Sequence, residues 1–111
     1  MSVGIYRYNV SISNPLAHII FSESISSEAF YQEFWTKAVN DTNAKLFKDG
    51  SSFTSDKIPI VLQELSSLKN WANINISDDT KRLYMIRHID NIIYKLDNYI
   101  KDGYDETFYI F

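Results

Sequence analysis

Along the first dozen residues, polar and less polar side chains alternate. Tyr6, Tyr8, Val10 and Ile12 fall on one face, and Arg7, Asn9 and Ser11 fall on the other. A period of two marks a half-buried strand, predicted over 3–12. Ser13-Asn14-Pro15 then offers helix-start chemistry, with Asn14 as the cap and Pro15 at the first helical position. The apolar run behind it, Leu16 to Phe21, is too short to separate helix from strand. From Glu28 the period changes: Phe30, Phe34 and Ala38 recur every four residues beside Tyr31, Trp35 and Val39. With Ser26 and Ser27 available as caps, a helix is expected over about 28–46.

Lys48-Asp49-Gly50-Ser51-Ser52 has turn chemistry, with Gly50 suited to a left-handed conformation. A further helix is expected to open near Ser55 or Asp56, where Pro59 falls within the first turn and is tolerated. Ile58, Val61, Leu62, Leu65 and Leu68 line one face of it. Asn73 to Ile76 reads as a short strand or a loop, and Ser77-Asp78-Asp79 as the capped, acidic start of the last helix. That helix, over about 79–101, carries the clearest stripe: Met85, Ile86, Ile89, Ile92, Ile93, Leu96 and Ile100, with Arg87, Asp90, Lys95 and Asp97 opposite or at its edges. Gly103 is the expected terminator. Thr107 to Phe111, β-branched and aromatic, predicts a terminal strand in the same sheet as the first. The expected fold is a single α+β domain over 1–111. About four helices pack on a small, mainly antiparallel sheet that includes the N-terminal and C-terminal strands.

At 111 residues with 45% apolar side chains the chain has enough for one modest core. The net charge of −3 and a pI near 5.2 leave no basic excess to neutralise phosphates, so direct nucleic-acid binding is not expected. The absence of cysteine excludes disulfides, thiolate zinc sites and cysteine nucleophiles, and fits a reducing compartment. The sequence opens with no basic leader followed by an apolar core, and no apolar run approaches the ~20 residues a membrane span requires. A cytoplasmic location is the expectation, with the sequons at Asn9, Asn40 and Asn75 read as accidental.

Catalytic candidates are sparse. His88, inside Arg87-His88-Ile89-Asp90, and His18 pair with no nucleophile or second histidine at ligand spacing, so both read as ordinary surface or partly buried histidines. A small hydrolase built on His88 and Asp90 is the weaker alternative. Asp78 and Asp79 fit helix capping better than an acid-base pair. Glycines at 4, 50 and 103 form no phosphate loop, and no metal or cofactor is expected. Tyr31, Phe34 and Trp35 read as core, while Trp71 is unassigned. One stretch invites a binding reading: from Asp97 onward, Asp97, Asp102, Asp105 and Glu106 interleave with Tyr99, Tyr104, Phe108, Tyr109 and Phe111. Tyrosines give rigid contact area with a polar tip, and acids steer a basic partner. The competing reading is a solvated helix end followed by a buried strand.

The order of elements resembles a family of bacterial polymorphic-toxin immunity proteins, of the kind used in contact-dependent growth inhibition. The resemblance is carried over the first seventy residues by Ser2-Val3-Gly4-Ile5 in a strand, a Phe-rich helical segment, and Gly50-Ser-Ser-Phe53 leading to Leu62-Gln-Glu-Leu65-Ser-Ser-Leu68. It implies a non-enzymatic inhibitor that binds a cognate toxin effector domain in the cytoplasm and covers its active site or substrate-binding surface. Many such effectors are nucleases with basic surfaces, which an acidic protein complements. The expected contacts are Asp97, Asp102, Tyr104, Asp105 and Glu106, with Asp78 and Asp79 as a second acidic patch. The free protein is expected to be a monomer or weak dimer. A different class of function, a regulatory adaptor dimerising through the Ile-rich helix, is the alternative.

Overall fold

The computed structural model describes residues 2–111. β1 (Ser2–Tyr8) pairs antiparallel with β2 (Ile19–Ser27). The chain then runs through a helical segment over 28–42, α1. It opens with an α-turn at Glu28–Phe30, widens into a π-helical turn at Tyr31–Trp35 and closes as α-helix at Thr36–Thr42. β3 (Ser52–Thr54) and a 3₁₀ turn (Ser55–Lys57) lead into α2 (Ile58–Asn75); α3 (Asp79–Asp97) and β4 (Thr107–Ile110) complete the chain. The sheet order is β2-β1-β4-β3 with every neighbouring pair antiparallel. The N-terminal and C-terminal strands are both in the sheet, as expected, and are its two central strands.

Among the described residues three helices pack on the sheet, not four. The helix-start signal at 13–15 makes a turn instead: the Asn14 side chain accepts from Leu16 N at 2.9 Å and its carbonyl from Ala17 N at 3.0 Å. An Asx turn of this kind satisfies the same local groups that a cap would. The apolar residues that follow join β2. The first strand stops at Tyr8 rather than Ile12. α1 ends at Thr42 because Asn43 adopts a left-handed conformation (φ 58°), short of the expected Leu46. α2 continues through 73–75, where a strand or loop was expected. α3 ends at Asp97, so Ile100 lies outside the stripe and is exposed, and Gly103 (φ 84°) turns the following loop instead of ending the helix. The caps follow expectation. Ser27 Oγ accepts from Phe30 N, and Asp78 Oδ1 accepts from Lys81 N at 2.9 Å.

The core lies between one face of the sheet and the three helices. Val3, Ile5, Ile25, Phe53, Phe108 and Ile110 enter from the sheet, Tyr31, Trp35 and Ala38 from α1, Val61, Leu65, Leu68 and Ala72 from α2, and Met85, Ile89, Ile92 and Leu96 from α3. Each such Leu, Ile or Phe contributes about 1.5–3 kcal/mol by leaving water. Trp71 is also buried and donates from Nε1 to Asp41 Oδ2 at 2.9 Å. That bond, and after it Lys37 at 3.5 Å, holds the Asp41 carboxyl below the usual carboxylate range. Among the described residues no helix is long and apolar enough to cross a membrane.

The face of β1 that enters the core is the one that carries Arg7. Val3, Ile5 and Arg7 are buried, whereas Tyr6 and Tyr8 lie on the opposite face. Arg7 can be buried because its polar atoms are met: Nε donates to the Asp105 carbonyl at 2.8 Å and Nη2 to Asp102 Oδ1. Its guanidinium also lies 5.1 Å from the ring centre of Tyr99.

Candidate functional site

Among the described residues no helix covers the second face of the sheet. Alternation along the strands puts Tyr6 and Tyr8 of β1, Tyr109 of β4 and Phe111 there, together with Gly4, Ser22, Ser24, Ser52 and Thr54. These four rings pack on one another and not on the core. Tyr6 stacks on Phe111 with centroids 4.7 Å apart, and Tyr8 meets Tyr109 edge-on at 6.0 Å. Phe111 is held in register by Gly4, with which it exchanges backbone bonds of 2.9 and 3.1 Å. Gly4 serves the arrangement by having no side chain: a Cβ there would lie 2.7 Å from Tyr6 Oη and 3.1 Å from the Glu23 carbonyl. The result is an aromatic plate edged by hydroxyls, with no charged side chain among these residues.

Electrostatics gather at one end of this face. The segment 97–106 holds four acids against one base, and outside it ten acids meet ten bases, so the whole net charge of −3 resides there. Asp105 N donates to the Asn9 carbonyl at 3.2 Å, which ties the segment to the end of β1 beside Tyr8. Asn9 in turn holds the 9–18 connection, accepting at Oδ1 from His18 N at 2.8 Å. Ile12, Leu16, Ile19, Ile100 and Tyr104, half of the ten exposed large apolar side chains among the described residues, are carried by these two connections and the first residue of β2.

Within the segment the acids have unequal duties. Asp102 pairs with Arg7, and that bond above all holds its carboxyl below the ordinary carboxylate range. Asp105 Oδ1 accepts from Thr107 N at 2.8 Å, and Glu106 accepts from Ser55 Oγ and lies 3.9 Å from Lys101. Asp97 makes no ion pair among the described residues, and Tyr104 is 54% exposed. These five residues therefore share one end of the molecule, but Asp102, Asp105 and Glu106 also tie the chain together there. Asp78 and Asp79 lie elsewhere. They open α3, whose 19 residues at about 1.5 Å each separate them from Asp97 by about 28 Å. Asp78 is the cap and Asp79 pairs with Arg82.

The Ile-rich stripe of α3 is spent in the core at Met85, Ile89, Ile92 and Leu96, which leaves Leu83 and Tyr94 as its exposed apolar groups. His88 Nδ1 bonds the Tyr84 carbonyl at 2.8 Å, while Asp90 is turned to Lys69 at 2.8 Å, so the two do not face each other. A depression of about 750 Å³ runs beside α1 past Lys37, Asn40, Asn43, Lys45 and Lys48; it is an open groove between solvated side chains, apart from the aromatic plate.

Sequence reasoning missed the plate because Tyr6 and Tyr8 were read only as one face of a half-buried strand, with no partner rings beside them. It also missed Glu64, whose carboxylate accepts from Lys45 N at 3.1 Å, Leu46 N at 3.1 Å and Phe47 N at 2.8 Å, closing the turn that follows α1. Alternation separated Tyr6 and Tyr8 from Arg7 but carried no sign of which side enters the core, and Glu64 had no local signal at all. No family model, no curated protein and no solved structure matches this chain.

Proposed function

We propose that the chain is a protein-binding inhibitor of the immunity type, which neutralises a basic toxin effector domain by covering its active site or substrate-binding surface. The carrying observation is the uncovered sheet face: four aromatic rings among serine, threonine and glycine, with the chain's entire net negative charge at one end. Protein interfaces concentrate aromatics and exclude charge at the centre, and place polar groups at the rim. Tyrosine with serine and glycine is also the composition that antibody-type paratopes use, since tyrosine brings contact area at low entropy cost. Tyr6, Tyr8, Tyr109 and Phe111 supply the centre of the contact on this reading. Asp97, Tyr104 and Asp105 supply the rim that steers a basic partner. Asp102 acts through Arg7, by holding the rim in place.

The test is co-expression with the effector domain encoded beside this chain, scoring host survival and recovery of a one-to-one complex. Rescue is expected, with loss of both readouts in a Tyr8→Ala/Tyr109→Ala variant that still folds. A complex that forms equally well with that variant, or an effector that kills regardless, overturns the reading.

A further inference from the structure

The free edge of β2 is a second surface. Gly4 exchanges its backbone bonds with Phe111, so its N–H and C=O point towards β4. Alternation then turns those of Ile5 and Arg7 towards β2, where their partners are Glu23 and Phe21. The N–H and C=O groups of Ser22 and Ser24 consequently point away from the sheet. They are flanked by register shifts that leave Ile20 and Ile25 as bulged residues, so Phe21 to Ser24 is a short regular window on the edge.

This edge is guarded against its own kind. Bulges and inward-pointing charge are devices that discourage edge-to-edge pairing, and Glu23 is such a charge, held by Asn91 and by Lys95 Nζ at 3.5 Å. A second copy joined with Ser22 opposite Ser24 would set Glu23 against Glu23. A strand without that charge meets no such barrier.

Beside the edge runs one stripe of α3: Tyr84, His88, Asn91 and Lys95. Tyr84 Oη accepts from Ser27 N at 3.3 Å and Asn91 holds Glu23, so the helix runs antiparallel to β2. Concavities of about 330 and 360 Å³ flank His88, and Arg87 lines both. Glu23 and Lys95 offset one another, and His88 is tied to the Tyr84 carbonyl. Arg87 is exposed and takes part in none of the ion pairs among the described residues, which leaves one uncompensated cation facing the ledge.

We propose that the β2 edge and this stripe form a docking ledge for an extended, acidic peptide segment of a partner protein. The segment adds as a fifth strand on Ser22 and Ser24 and sets a carboxylate against Arg87. The ledge does not depend on the toxin reading, because it uses the backbone edge of β2 and the side of α3, not the aromatic rings, and the opposite charge.

The probe is a blocked heptapeptide, Thr-Glu-Thr-Val-Thr-Val-Thr, whose antiparallel docking sets the central valine and not the glutamate opposite Glu23, beside its counterpart with Lys in place of Glu, titrated into labelled protein and followed by NMR. The Glu peptide is expected to slow exchange of the Ser22 and Ser24 amides and to bind about two- to fivefold more tightly than the Lys peptide. Arg87→Glu should invert that preference. Ser24→Pro should abolish docking without unfolding, since proline at an outward-facing edge position removes only a solvent-facing N–H; Ser22→Pro is the second version of the same test. Equal binding of the two peptides, binding that survives both proline variants, or no binding of either at millimolar concentration overturns the proposal. So does a protein that dimerises by itself and becomes monomeric in Ser24→Pro, which would assign the edge to a second copy.

Discussion

Arg7 and Asp102 stand 95 positions apart in the chain and meet as an ion pair in which the arginine is buried and the aspartate is 39% exposed. The asymmetry decides what each contributes. Removing the carboxylate leaves a guanidinium that water cannot reach, whereas removing the arginine leaves an acid that water can solvate. Arg7→Met, which keeps an apolar stem against Tyr99 and Phe108, is therefore expected to cost no more than about 1.5 kcal/mol. Asp102→Ala is expected to be the more damaging change. Paired denaturant titrations check the order, and equal losses would show that the pair is not the organising contact.

The same pair sets a pH dependence. Arg7 holds the folded Asp102 carboxyl below its unfolded value, which is about 3.9. A depressed folded pKa means stability that is fully present above the unfolded pKa and is lost as pH falls towards the folded one. The melting temperature should therefore be insensitive to this pair near neutrality and drop below about pH 4. Asp102→Asn should start lower at neutral pH and show a shallower acid slope than the parent. Parallel slopes for the two proteins would assign the acid transition to other carboxylates, of which Asp41 and Asp56 are the first candidates because their pKa values are also lowered.

Glu64 holds three successive backbone amides after α1. Glu64→Ala leaves Lys45, Leu46 and Phe47 without their acceptor, and hydrogen bonds to charged groups contribute about 1.5–3 kcal/mol net. A loss of about 2–3 kcal/mol is expected, with Glu64→Gln milder because one oxygen remains. Hydrogen exchange at the Phe47 amide is the direct readout. Unchanged protection in Glu64→Ala would show that the turn holds itself.

The helices were the most legible part of this fold. α2 and α3 announce themselves through Val61, Leu65 and Leu68 and through Met85, Ile89 and Ile92, because a stripe at helical spacing has one cheap solution. β4 was legible from its β-branched and aromatic run. The 13–21 stretch was not, since Asn14 and Pro15 suit an Asx turn as well as a helix start and only pairing with β1 decides. The exposed face of β1 was hidden for a related reason. Burial of Arg7 depends on Asp102 and the Asp105 carbonyl, contacts that no local pattern reveals, and stacking on Phe111 lets Tyr6 face outward. The acids at 97–106 were visible as a cluster, but their internal partners Arg7, Ser55 and Thr107 were not.

Gly4 and Tyr6 give a test of the plate itself. A Cβ at position 4 would crowd the Tyr6 ring at 2.7–2.9 Å, a contact that must yield, and approach the Glu23 carbonyl at 3.1 Å, which can give only slightly. Gly4→Ala is therefore expected to push Tyr6 off Phe111 and to cost about 1–2 kcal/mol, despite the entropy that alanine ordinarily saves in the unfolded chain. In a Tyr6→Ala background the ring is gone and only the carbonyl contact remains, so the same substitution should cost less. A double-mutant cycle measures the difference as a coupling of at least about 0.5 kcal/mol. Additive losses would mean that Gly4 is required by the strand backbone alone, and that the flat seating of Tyr6 is a consequence of the sheet and not of the glycine.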